Sequence, residues 1–262
     1  VTAIATETAF DNTAPMVPCA IRGESHQFIA FDMAALDTVV LERGTFLGAT
    51  GPVRVVAIAA LGTSARGWLA LVFAPFRWIG AMMRKTAGGE RFWSQAIEAE
   101  GDARVLASNP RGGQVVRIPL DDGTVTMQRG AWIGQTGDIE LGVTVVTAFV
   151  RAVFAQAAWV WQSASGIGDV FLGAHGNIVT LNVPRGSSVL VESHNVLAWQ
   201  GITAWSQRGL GSVRGTLFAG DGLALLEATG PGVVYLDTGS SLSARVEHLT
   251  RSLGQTRGDH TP

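Results

Sequence analysis

The chain has 262 residues, enough for one large all-β domain or two smaller ones with a substantial core. Only 15% of residues are charged and 33 are glycine, the composition of a turn-rich β protein; a net charge of −2 argues against a general nucleic-acid footprint. The single cysteine, Cys19, excludes an intrachain disulfide and a Cys-rich zinc site, and a mean hydropathy of +0.27 asks for a large core or an apolar surface destined for a membrane or partner.

The N-terminus, VTAIATETAFDNTAP, has no basic region followed by an apolar run, so it does not read as a secretory signal. Residues 1–18 are expected to form an extended polar arm. From Ala20 to Val56 the chain reads as strands and turns. Within it lies Thr38–Gly51, TVVLERGTFLGATG. Apolar residues then crowd into Ala57–Arg91, which is helical or irregular in pattern rather than alternating. Strands return at Phe92–Ala99 and Ala103–Ala107. Asn109–Gly113 is a turn, and Asp121-Asp122-Gly123 after Val115–Leu120 is a hairpin signal.

Thr124–Gly137, TVTMQRGAWIGQTG, repeats Thr38–Gly51 at a spacing of 86 residues, and Ser188–Gly201, SVLVESHNVLAWQG, is a third copy 64 residues further on. Internal repetition fixes architecture before any residue-level reading. Each copy reads as strand, tight turn, strand, because Val39 and Leu41, Val125 and Met127, Val189 and Val191 alternate with period 2. Three equivalent hairpins about one pseudo-threefold axis are the expectation. Gly101–Val105, Gly168–Leu172 and Gly232–Leu236 read as the second halves of the repeats. Between the halves sit insertions at roughly Ala57–Arg91, Val143–Trp161 and Arg208–Gly222, and repetition places them at one end of the body. The domain then covers 19–239, with repeats at about 20–109, 110–178 and 179–239 and a C-terminal tail at 240–262.

Chemistry-bearing motifs are sparse. His26, His175, His194, His248 and His260 lack metal-ligand spacing, so no metal or cofactor is expected. There is no nucleophile elbow and no P-loop, and Gly209–Gly215 imitates a dinucleotide loop without the surrounding βαβ unit. No catalytic constellation is expected.

The order and spacing of Val39–Gly51, Gly88-Gly89-Glu90-Arg91-Phe92, Gly220-Asp221-Gly222-Leu223 and Gly230–Leu236 resemble a known family. It is the bacterial domain of unknown function shared with the altered-inheritance-of-mitochondria, or mitochondrial biogenesis, proteins. The likeness runs from about Cys19 to Gly239. It implies a β-barrel or double-stranded β-helix-like body of three pseudo-repeats, similar to the tryptophan RNA-binding attenuation protein. The family has no established enzymatic activity, and the likeness implies membrane association, since mitochondrial members are associated with the inner membrane. The first two insertions here are longer and more apolar than the family's usual ones.

Those insertions are the informative feature. Gly67–Met83 holds Trp68, Phe73, Phe76 and Trp78, with Arg77 inside it and Arg84 and Lys85 just beyond. Pro75 would kink any helix there. Val143–Trp161 holds Phe149, Phe154 and Trp159 around Arg151. Length and internal charge disfavour a span, whereas aromatic rings with flanking cations suit the headgroup level. The expectation is a non-catalytic, peripherally membrane-associated bacterial accessory protein. Its partner would be a membrane surface, an integral membrane complex or both, and it would bind no nucleic acid. Self-association as a soluble homo-oligomeric scaffold is the alternative, ahead of a small-ligand or RNA-binding module.

Overall fold

The computed structural model describes residues 18–59, 93–144, 161–208 and 225–239. They form β1 (Cys19–Arg22), β2 (Phe28–Asp32), β3 (Thr38–Glu42), β4 (Phe46–Thr50), β5 (Val53–Ala59), β6 (Trp93–Ala99), β7 (Arg104–Ser108) and β8 (Val115–Gln128). Then follow β9 (Trp132–Thr144), β10 (Trp161–Gly173), β11 (Ile178–Val183), β12 (Ser188–Glu192), β13 (Val196–Gln200), β14 (Ala204–Arg208), β15 (Leu225–Thr229) and β16 (Gly232–Asp237). The class is all-β, as expected, and every strand pairing is antiparallel.

One unit recurs three times. In the first repeat β7 lies between β2 and β4, and β6 lies between β3 and β5. In the third, β16 lies between β11 and β13, and β15 between β12 and β14. The middle repeat draws the same two layers in three long strands, with β10 paired along its length to both β8 and β9. The alternation read from sequence sets the faces: Val39, Leu41, Val125, Met127 and Val191 are all buried. The cores merge across repeats, since Ile133 and Phe171 of the second pack with Phe31 and Leu41 of the first. Phe31 and Phe171 meet edge to face at 5.2 Å. Trp161 of the second packs with Val191, Leu226 and Val234 of the third.

Three expectations change. The copies of the repeat are equivalent, but they are corners rather than hairpins: β3 pairs with β6 and β9, while β4 pairs with β7. The turns at Gly44 and Gly130, with φ of +90° and +72°, carry the chain from one layer to the other. Asp121-Asp122-Gly123 is a bulge inside β8, not a hairpin. Asp122 has φ +53° and no partner opposite, because β10 runs past uninterrupted through Gly166 and Gly168. The residue equivalent to Gly168 and Gly232 is Ala103, not Gly101. Thr50, Thr136 and Gln200 pair with Arg104, Asp169 and Val233, and Gly101 belongs to the preceding turn.

The repeats are joined by one kind of junction. Leu41 of β3 faces Gly134 of β9, and Met127 of β8 faces Ala198 of β13. Among the described residues no such junction joins the third repeat to the first, and no sheet closes into the barrel that the family resemblance implies.

Candidate functional site

The strand register places the roots of all three insertions equivalently. Ala59 faces Trp93, Thr144 faces Trp161, and Arg208 faces Leu225. Each root stands beside a corner turn, because Ser94, Trp161 and Leu225 also pair with Glu42, Gln128 and Glu192, the residues that enter those turns. The insertions therefore leave the body at one end. Trp68, Phe73, Phe76, Arg77, Trp78, Arg84, Lys85, Phe149, Arg151, Phe154 and Trp159 all lie outside the described residues, as do 1–17, Gly209–Gly215 and 240–262. Under the second root, Trp161 packs against Trp199 with centroids 4.5 Å apart and ring planes inclined at 60°, and Trp199 meets Trp205 edge to face at 5.3 Å.

The same end holds a polar hub that sequence reasoning missed. Gln27 Oε1 accepts from the N–H of Val115, and Gln114 Oε1 accepts from the N–H of Ile178, so each glutamine ties its repeat to the first strand of the next. Asn109, buried, donates from Nδ2 to the carbonyls of Gly113 and Ala174. Arg111 donates to the carbonyls of Gly130 and Arg129 and to Gln128 Oε1, fixing the second corner turn. Burial lowers the Arg111 guanidinium, while Asp237 and Glu42 pull it back up. The signal available beforehand was a glutamine directly before the equivalent strands β2 and β8, in His26-Gln27-Phe28 and Gly113-Gln114-Val115.

Asp237 is the one fully buried carboxylate among the described residues. Its oxygens accept from the N–H groups of His175, Gly176 and Gly239 and from His175 Nδ1, at 2.8–3.0 Å. Burial opposes the charge, but the His175 ring and these N–H groups prevail and hold the carboxyl at about 2. The pair is occupied in closing the His175-Gly176-Asn177 turn onto the end of β16. Elsewhere, burial and Asp169 push the Cys19 thiol up to about 11 against the pull of Arg117, leaving it a poor nucleophile at neutral pH. Among the described residues no three His, Cys, Asp or Glu side chains converge as a metal site, and no helix is long and apolar enough to cross a membrane.

The end with the insertion roots carries more cations than carboxylates in its exposed turns. Arg43 and Arg129 are exposed in the first two corners, His194 stands in the third, and the β1–β2 turn beside them adds exposed Arg22 and Glu24. Asp37, Asp102, Asp121, Asp122 and Asp138 are exposed at the opposite end, where Arg54 pairs with Glu98 at 3.6 Å and Arg185 is the other exposed cation.

No curated protein matches the chain. Among solved structures it is similar to protein SPYM3_0169 of Streptococcus pyogenes, with 18% identity, a TM-score of 0.61, and coverage of 89% of this chain and 98% of that one. That likeness supports the fold alone. Residues 19–239 match the family described as mitochondrial biogenesis AIM24, and the match spans the whole three-repeat body. The chain belongs to the mitochondrial biogenesis AIM24 family.

Proposed function

We propose that the chain is a non-catalytic accessory protein that docks peripherally on a membrane and stabilises a larger assembly there. One observation carries this reading: three insertion roots share an end with the exposed Arg22, Arg43 and Arg129, while among the described residues all the exposed carboxylates but Glu24 lie toward the other end. By composition the first two insertions are rich in Trp and Phe with interspersed Arg. Aromatic rings and aliphatic chains enter the acyl boundary, and cationic stems lie along the apolar surface with their heads among anionic lipids. Each large apolar side chain removed from water contributes about 1.5–3 kcal/mol, so a handful offsets the cost of association. The acidic far end would be repelled by the same surface, which orients the molecule.

The reading is tested by flotation of the full chain with vesicles containing anionic lipid. The wild type is expected to float. A variant with Trp68, Phe73, Phe76 and Trp78 all changed to Ser is expected to stay in the aqueous fraction with an unchanged β-type circular dichroism spectrum. A folded variant that floats as well as the wild type sinks the proposal.

A further inference from the structure

The junction between successive repeats occurs twice and has the same register both times. Val39, Val40 and Leu41 of β3 face Thr136, Gln135 and Gly134 of β9. Val125, Thr126 and Met127 of β8 face Gln200, Trp199 and Ala198 of β13. A third junction of this kind would need β12 from the last repeat and β4 from the first. Among the described residues both are edge strands.

The side chains record what is missing. Each receiving strand has a bulged residue at the same place, Leu47, Ile133 or Leu197. Ile133 is 1% exposed and Leu197 0%, each packed against the preceding repeat, whereas Leu47 is 58% exposed. Trp132 and Val196 are buried, but their counterpart Phe46 is 36% exposed. On the donor side Leu190 of β12 is 52% exposed, while Val40 in the same position is partly covered. Gly134 leaves no room for a Cβ, which would stand 2.5 Å from Leu41 Cδ2 and 2.8 Å from the Val40 carbonyl oxygen. At the equivalent Gly48 nothing lies within 4 Å. Among the described residues the place for a neighbouring strand is shaped and unfilled.

The edges are weakly defended. Natural edge strands are blunted by charged side chains, above all Lys, by Pro, by bulges or by being short. β4 reads FLGAT and β12 reads SVLVE; both are short and lack Lys, Arg and Pro, Glu192 is their one charge, and the bulge of β4 recurs in the two strands that do receive a neighbour. The two edges are complementary to each other, since the chain itself twice seats a β4-type strand on a β12-type strand.

From this we infer that β12 of one copy of the chain pairs antiparallel with β4 of a second copy, continuing the series of repeats head to tail. The register follows from the two internal junctions: Val189 faces Thr50, Leu190 faces Ala49, and Val191 faces Gly48 of the neighbour. Leu47 and Phe46 are then covered as Ile133 and Trp132 are. The interface is heterologous, so each copy offers one donor edge and one receiving edge. This inference stands independently of the membrane reading, because neither edge includes an insertion.

The test uses the full chain in a mild detergent that masks the insertions, with mass measured by light scattering after size exclusion. Wild type is expected to associate below about 100 μM. Leu47→Lys blocks the receiving edge and Leu190→Lys the donor edge; both residues are exposed, so the fold is retained. Each variant alone is expected to associate at least tenfold more weakly than wild type. An equimolar mixture is expected to form a one-to-one dimer, because each variant keeps the edge the other lacks. Register is read by Ala49→Cys with Leu190→Cys in a Cys19→Ser background under mild oxidation. Facing residues stand within disulfide reach, so chains should be linked to one another. A wild type monomeric at about 100 μM, Lys variants that associate like wild type, no dimer on mixing, or a disulfide closed within one chain would each overturn the inference.

Discussion

Replacing Asp237 by Asn gives the sharpest test of the hub. The carboxylate is fully buried, and its oxygens are filled by three backbone N–H groups and the His175 ring. Its pKa falls from 3.8 to about 2 on folding. At about 1.4 kcal/mol per unit, that difference contributes about 2 kcal/mol of stability at neutral pH. Because the folded value is the lower one, the contribution is fully present above the unfolded value near 4. It is lost as pH falls through the folded value near 2. Asn keeps the shape but turns an NH₂ toward donors, which adds roughly 1 kcal/mol for each bond forfeited. Chemical unfolding followed by circular dichroism at pH 7 should show the variant about 2–4 kcal/mol less stable. Between pH 4 and pH 2 the wild type should lose stability relative to the variant, closing about 2 kcal/mol of the gap. A gap that is the same at pH 7 and pH 2 would refute the reasoning.

Three further outcomes are expected. Gly134→Ala should cost about 1–3 kcal/mol by overpacking against the Val40 carbonyl, whereas Gly48→Ala at the equivalent open position should leave monomer stability within about 0.5 kcal/mol; unfolding curves of the two variants under dilute conditions decide it. Cys19 should react with a thiol reagent at pH 7.5 at least tenfold more slowly than free cysteine, and a rate equal to that of free cysteine would contradict the raised pKa. Arg111→Met removes three bonds that hold the second corner turn, and it should cost about 2–3 kcal/mol while raising amide exchange at Arg129–Ala131 above that at Arg43–Thr45.

The periodic parts of the fold were legible in the sequence. Val39 and Leu41 alternate as Val125 and Met127 do, and Ile178–Val183 and its following turn fall where Gly and Pro placed them. What a strand pairs with was less legible. TVVLERGTFLGATG has the local pattern of a hairpin, but a corner and a hairpin share the same glycine turn and differ only in the partners waiting for each strand. Asp121-Asp122-Gly123 misled for the same reason: a bulge and a turn use the same residues, and the uninterrupted β10 decides between them. At the candidate site the apolar insertions were evident as composition, while the equivalence of their roots needed the register. Gln27, Gln114 and Asp237 were invisible as a group, because residues 61 to 88 positions apart meet only after the strands pair.

Depth-resolved fluorescence on the intact chain tests the membrane reading most directly. A polarity-sensitive fluorophore is attached through Arg43→Cys, Arg129→Cys or Asp102→Cys, each in a Cys19→Ser background, and anionic vesicles containing brominated lipid are added. Quenching and a blue shift are expected at positions 43 and 129 at the insertion-root end, and neither at position 102 at the acidic end. Quenching at position 102, or none at any of the three, would contradict it.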